Sequence, residues 1–367
     1  MKIPFKGAVD CDLHLSAPRM SALLPYMDEY WSDQFSNRHI DRFAFTMSSD
    51  NPILPLQWRP DWKAGADEPG SELDRLRSRA LDQFGSSIGI VNVIHGAIAL
   101  YHGDMAAAIL RAVNDWTADK VLSQESRLRG SILVSLQDPA LAVAEIERLA
   151  GNPGFVQVLL PVIGELTIGR RIYWPVFEAA SRAGLPICLH AGSLNRHAPT
   201  GVGWPSYYVE DYVSQSAGFE ASLVSLLAEG VFQKFPDLTF VLAESGVTWM
   251  PSFQWRQDKM WLGVRTELPW IDRMPREIIR ERVRLTLQPF DAPPDAAIVE
   301  RLLDHLGSDE MLLFSTDYPH WHFDGDDVVP DGFPTDLLRK IAIDNPHATY
   351  GRLRQGGEAT KSLEVTA

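Results

Sequence analysis

The chain is expected to be an α/β protein, a single (β/α)8 or TIM barrel with long insertions after its strands. Three observations point there. Eight short apolar runs alternate with longer amphipathic stretches along 367 residues. The runs are nearly continuous in Val, Ile, Leu and Phe, the pattern of parallel strands covered on both faces. Carboxylates and imidazoles gather where several runs end, and in a barrel those ends share one face. A doubly wound open sheet is the competing architecture. It should carry a glycine-rich phosphate turn after an early strand, and neither GxGxxG nor a P-loop occurs.

In chain order, the first strand is read at 8–14 (AVDCDLH), with a helix at 72–84. The second, 88–94 (IGIVNVI), precedes a helix at 104–122. The third, 130–136 (GSILVSL), leads to 138–150, where Asp138 and Pro139 supply a cap and a first-turn proline. The fourth, 154–161 (GFVQVLLP), is followed by 173–183, stopped by Gly184. The fifth, 185–191 (LPICLHA), and sixth, 238–244 (LTFVLAE), precede helices at 219–234 and 249–263. The seventh, 283–288 (VRLTLQ), and eighth, 311–317 (MLLFSTD), precede helices at 295–306 and 334–344. Two stretches interrupt the repeat, 40–70 and 192–218, both rich in Pro, Gly and aromatics. They are expected as long loops on the face where this fold builds its sites, packed as lids. Residues 1–355 then form one domain and 356–367 a flexible tail.

Composition bounds the function. Hydrophobic residues make up 45% and charged residues 22%, the balance of a globular chain with a large core. The net charge of −14 argues against nucleic acid as a partner. No apolar run reaches the roughly 18 residues of a membrane span. The start, MKIPFKGAVDCD, lacks the apolar stretch of a signal peptide, so the expected compartment is the cytoplasm. Two cysteines, Cys11 and Cys188, make no disulfide framework.

The chemistry is expected at the strand ends. Side chains alternate along a strand, so Asp10, Asp12 and His14 should face the barrel axis, with Cys11 and Leu13 turned toward the helices. His190, Glu244, Asp317 and His320 end or follow the fifth, sixth and eighth strands. Together these are the ligand types of a divalent metal. Each has a plainer alternative. His190 could be a satisfied core histidine, Glu244 the cap of a helix starting near Thr248, and Asp317 a cap for the next segment. Asp10 is expected deeper, orienting a ligand or holding a buried water, and His95 behind the ligands. His102 reads as structural, Cys188 as a small core residue, and His322 as a surface or substrate contact.

Four segments together, the D-x-D-L-H strand, LPICLHAG, FPDLTFVLAESGVTWMP and LLFSTDYPHWHFD, carry a resemblance over about residues 5–350. They resemble the amidohydrolase superfamily, in the amidohydrolase 2 branch that includes metal-dependent decarboxylases. The resemblance implies that Asp12, His14, His190 and Asp317 hold a metal. The family's usual H-x-H is D-x-H here, and its strand-six His is Glu244, which could bind or bridge a second metal. Gln157 and Leu159-Leu160-Pro161 stand where a carbamylated lysine would be needed.

Three activities follow as expectations. The first is a metal-dependent hydrolase of a small organic substrate, with Asp317 as general base. The second is a decarboxylase of a small carboxylic acid, with Asp317 or His320 protonating carbon. The third is a dinuclear Fe/Mn-type oxygenase subunit, in which Glu244 and His320 complete a second metal site beside the first and the chain works with a paralogous chain and an electron donor. Zinc is the first expected metal, manganese or iron the alternatives. Trp204, Tyr207, Tyr208 and Trp321 suggest a planar substrate wall, with Arg196 or His197 for a carboxylate. Trp58 and Trp62 suggest a dimer, homomeric or with a paralogous chain, or else an intramolecular lid.

Overall fold

The structure, a computed structural model, describes residues 3–41, 71–193, 198–320 and 327–354. Eight strands form one parallel sheet in sequential order. They are β1 (Val9–His14), β2 (Ile88–Asn92), β3 (Leu128–Leu133), β4 (Phe155–Ile163), β5 (Ile187–Ser193), β6 (Phe240–Ala243), β7 (Val283–Thr286) and β8 (Leu312–Leu313). Helices follow each in turn: α1 (Ser71–Leu76), α2 (Gly103–Thr117), α3 (Pro139–Leu149), α4 (Trp174–Arg182), α5 (Tyr208–Ala228), α6 (Trp249–Val264), α7 (Ala296–Leu306) and α8 (Thr335–Arg339). A further helix, α9 (Asn345–Thr349), follows α8, and others stand at Met20–Leu23, Glu29–Asn37, Val231–Lys234 and Pro275–Arg282. The chain is a TIM barrel, with its strands close to where the apolar runs place them.

The ring closes between β1 and the segment after β8. Cys11 N donates to Phe314 O (2.9 Å), Asp317 N to Asp12 O (3.1 Å) and His14 N to Tyr318 O (2.8 Å). These bonds carry the eighth strand's expected path to Asp317, although its regular ladder spans only Leu312–Leu313.

The expected alternation along β1 fails at one point. Its register against β2 shifts between Asp10 and Leu13. Val9 and Cys11 cluster with Ile90, Val156, Leu159, Cys188, Val241, Ala243 and Leu313. Residues from strands on opposite sides of the ring meet only on the barrel axis, so Cys11 faces inward with Cys188. The irregularity lets Asp12 face inward as well. Asp10 bridges instead to the closing segment, accepting from Thr316 N (3.0 Å) and Thr316 Oγ1 (2.7 Å). Leu13 packs outward over Gly89, where a Cβ would stand 2.5 Å from Leu13 Cδ1. A side chain at 89 would force Leu13 Cδ1 to move.

The layer between sheet and helices is apolar. Phe240 on β6 meets Phe177 on α4 and Phe232 edge-on, at 5.5 and 5.6 Å between centroids. Each such pair adds about 0.5–1.5 kcal/mol beyond the area it buries. Helix α5 begins at Tyr208, eleven residues before the expected 219, because Glu210 caps it. Its carboxylate accepts from the backbone N–H of Ser206 (2.7 Å) and Tyr207 (2.8 Å). The expected loop over 192–218 is shortened accordingly. Trp204 and Tyr207 are exposed among the described residues. Trp58, Trp62, Arg196, His197, Trp321, His322, Asp324 and the tail after 354 lie outside the described residues.

The C-terminal segment seals the opposite mouth of the barrel. Arg352 donates to the carbonyls of Ala150, Asn152, Phe155 and Ala183, in the turns that enter β4 and leave α4. Tyr350 and Leu353 then insert into the axial cluster. No helix among the described residues is long and apolar enough to cross a membrane.

Candidate metal centre

Asp12 and His14 end β1, His190 lies in β5, Glu244 follows β6, and Asp317 and His320 follow β8. All six expected site residues are buried. Their ligand atoms fall into two overlapping groups: Asp12, His14, His190 and Glu244, and His14, Glu244, Asp317 and His320. Within each group the atoms lie within 4.8 Å of one another.

The local backbone aims them. Glu244 and Asp317 both adopt left-handed conformations, φ 58° and 53°. Such φ values cost a non-glycine residue of order 1 kcal/mol and concentrate at functional sites. Asp291, which the sequence reading missed, supplies the helix cap once weighed for Glu244. It accepts from Val247 N (2.9 Å), Thr248 N (3.1 Å) and Thr248 Oγ1 (2.5 Å). Glu244 is thereby left to the cluster. Asp317 Oδ1 meets His320 Nδ1 at 2.7 Å.

His190 Nδ1 donates to the carbonyl of Ala191 at 2.8 Å, which turns Nε2 into the cluster. There it lies 3.1 Å from Glu244 Oε1 and 3.3 Å from His14 Nε2. His14 Nε2 in turn lies 3.1 Å from Asp12 Oδ1, 3.2 Å from Glu244 Oε1 and 3.3 Å from Asp317 Oδ1. One imidazole N–H cannot serve three carboxylates and a nitrogen. Donors bonded to a single ion at about 2.1 Å stand roughly 3.0–3.4 Å apart, the spacing of these pairs, while His190 Nε2 and Asp12 Oδ1 stand wider at 3.8 Å. Asp12 Oδ2 is buried with no hydrogen-bond partner among the described residues. The donors therefore fit a divalent cation, and oxygen with imidazole suits Mn, Fe or Zn.

Electrostatics agree. Burial opposes charge on His14, but Asp12, Asp317 and Glu244 outweigh it and raise its pKa well above the ordinary value. Burial is likewise outweighed at His190 by Glu244 and Asp12, and at His320 by Asp317, which lift both, His320 to about 9. Glu244 is held well below its usual range, its burial outweighed by His190, His14 and His320. Burial and then the Glu244 charge push Asp317 up to about 6. The protein thus gathers more buried negative charge than it neutralises without protons or a cation.

Two further histidines bond to the backbone near them. His102 Nδ1 accepts from Met105 N at the start of α2 (3.3 Å), as a structural reading expects. His95 Nδ1 accepts from Ala97 N (3.1 Å), and burial lowers its pKa to about 4. A cavity of about 210 Å³ opens near the ends of β3 and β4, lined by Leu136, Pro161, Val162, Ile168 and Ile172 among others.

A barrel with carboxylate and imidazole donors at one mouth is common to several families, and comparison with known proteins decides among them. A family model described as amidohydrolase matches residues 9–352. The chain belongs to the amidohydrolase 2 family. Among curated members, the gamma-resorcylate decarboxylase of Polaromonas sp. is 26% identical over 266 residues, 69% of this chain and 79% of that one. Among solved structures, an amidohydrolase from Mycobacterium avium subsp. paratuberculosis superposes with a TM-score of 0.72 at 21% identity, covering 94% and 99% of the two chains. A dihydroxybenzoic acid decarboxylase from Polaromonas sp., with bound manganese and the inhibitor 2-nitroresorcinol, gives 0.64 at 19% identity, covering 95% and 97%. At these identities the superpositions speak to the fold. The chain is an enzyme of this metal-dependent family, and its curated relatives include gamma-resorcylate decarboxylases.

Proposed function

We propose that this amidohydrolase-family chain is a metal-dependent decarboxylase of a small aromatic carboxylic acid. Manganese is the favoured metal, ahead of the zinc first expected, because a related structure carries it. One observation carries the reading. The Asp12-x-His14 pair, His190 and Asp317 converge at one barrel mouth in a chain similar to gamma-resorcylate decarboxylases. That likeness favours carbon–carbon cleavage over the hydrolysis first expected.

Asp12, His14, His190 and Asp317 would hold the ion, with Glu244 against them. When bound, the ion supplies positive charge to anchor the substrate carboxylate and polarise an adjacent oxygen. The chain's own groups manage the proton. Asp317, whose Oδ1 faces His320, is the carboxyl placed to pass a proton to the substrate. His320 Nδ1, 2.7 Å from Asp317 Oδ1, orients that carboxyl and can restore its proton. Delivery to the ring carbon bearing the carboxylate forms a C–H bond. The C–C bond then breaks, its electron pair returns to the ring, and carbon dioxide leaves.

The test is a panel of ortho-hydroxylated benzoates with Mn2+-loaded protein in D2O. Carbon dioxide release with one deuterium at the vacated carbon is expected. Hydrolysis of esters or amides without turnover of any aromatic acid would sink the proposal. A second reading, dinuclear oxygenation, is favoured by the two donor groups that share His14 and Glu244. Two metals per chain and substrate-dependent oxygen uptake would select it.

A further inference from the structure

A TIM barrel is ordinarily filled with branched apolar side chains. Here four polar side chains from four elements lie end to end inside it. Asn92 ends β2, Ser131 sits in β3, Gln157 in β4, and Tyr350 follows α9 on the barrel floor. None is more than 2% exposed. Polar groups buried this deeply cost stability unless each is hydrogen-bonded.

Each is bonded, and in one direction. Tyr350 Oη donates to Gln157 Oε1 (3.0 Å). Gln157 Nε2 donates to Ser131 Oγ (2.8 Å), its register partner across β3 and β4. With its lone pair so occupied, Ser131 Oγ donates to Asn92 Oδ1 (2.5 Å), which Gln157 Nε2 also approaches at 3.4 Å. Asn92 Nδ2 donates to Asp12 Oδ1 (2.7 Å). That oxygen is the one facing His14 Nε2 at 3.1 Å.

We propose that Tyr350, Gln157, Ser131 and Asn92 are positioning residues. They form a hydrogen-bond relay along the barrel axis that fixes the orientation and charge of Asp12 as a metal ligand. The donor–acceptor order is what makes the relay specific. Two hydroxyl-type and amide donors on Asn92 Oδ1 leave its NH2 pointing at Asp12, so the amide cannot reverse without breaking them. Donors aligned head to tail polarise one another, so the last N–H is a stronger donor than an isolated amide. Asp12 Oδ1 is thereby pinned on one side while Oδ2 has no hydrogen-bond partner among the described residues. The C-terminal segment, at the opposite mouth of the barrel, is thereby coupled to the donor cluster through the barrel interior.

The inference rests on the metal centre proposed above, and the test separates the two. Metal-free wild type, Asn92→Ala, Ser131→Ala and Tyr350→Phe are titrated with Mn2+, and the visible spectra of their Co2+ forms are recorded. Asn92→Ala is expected to weaken Mn2+ binding roughly 10–100-fold, as loss of a ligand's hydrogen-bond partner does. Tyr350→Phe, which removes one oxygen at the far end, should weaken it roughly twofold to tenfold, the worth of one hydrogen bond. It should also shift the Co2+ bands, which a merely structural role leaves in place. Should Asn92→Ala fail to fold, Tyr350→Phe and Ser131→Ala decide. Wild-type affinity and an unchanged Co2+ spectrum in both overturn the relay while leaving the metal centre standing. No Mn2+ or Co2+ binding by wild type overturns both.

Discussion

The Nε2 atoms of His14 and His190 face each other at 3.3 Å, both within 3.2 Å of the same Glu244 oxygen. Two nitrogens that close share a proton poorly, and both are released from the conflict by a cation between them. His14→Ala and His190→Ala are therefore expected to lose bound metal and turnover together. The barrel should stay folded, since its apolar layers lie elsewhere. Metal content by mass spectrometry, with circular dichroism on the same samples, checks this; full activity in chelated protein contradicts it.

Glu244 adds a carboxylate beside Asp12 and Asp317 and raises the Asp317 pKa. Glu244→Gln keeps the shape and removes the charge. Turnover or metal affinity should fall roughly 10–100-fold, with thermal unfolding of the metal-free protein little changed. A variant with wild-type rate and metal content would place Glu244 outside the chemistry.

Asp291 holds the turn on which Glu244 stands, through three hydrogen bonds to residues 247 and 248. Asp291→Ala should cost about 1–2 kcal/mol, the usual loss of a helix cap. Urea unfolding measures it. A midpoint equal to wild type would show that the helix needs no such cap.

His95 gives the fold an acid sensitivity. Burial holds its pKa at about 4, below the 6.5 of an exposed imidazole. Between those values the unfolded chain binds the proton that the folded chain refuses, so stability falls as pH drops through that window. A shift of that size corresponds to roughly 3 kcal/mol. Above about pH 6.5 both states are neutral and the effect vanishes. His95→Gln in metal-free protein should flatten the fall in melting temperature between pH 7 and 4.5. An identical slope in wild type and variant would assign the acid lability to other groups.

Local pattern was enough for the barrel and for the candidates at its mouth. Buried parallel strands must be apolar on both faces, so eight such runs in alternation with amphipathic helices leave few other folds. A carboxylate or imidazole ending such a run has only the strand-end face to occupy, which is why Asp12, His14, His190, Glu244, Asp317 and His320 were legible. Packing decided the rest. The irregularity in β1 that turns Cys11 and Asp12 both inward arises from register against β2, which no single strand encodes. Asp291 reaches its cap from some 43 residues away, and the helix start at Tyr208 depends on how Glu210 folds back. Asn92, Ser131, Gln157 and Tyr350 each read as an ordinary polar residue in its own segment. They become a chain to Asp12 only when the barrel closes, because a buried donor takes its meaning from an acceptor that tertiary structure brings within reach.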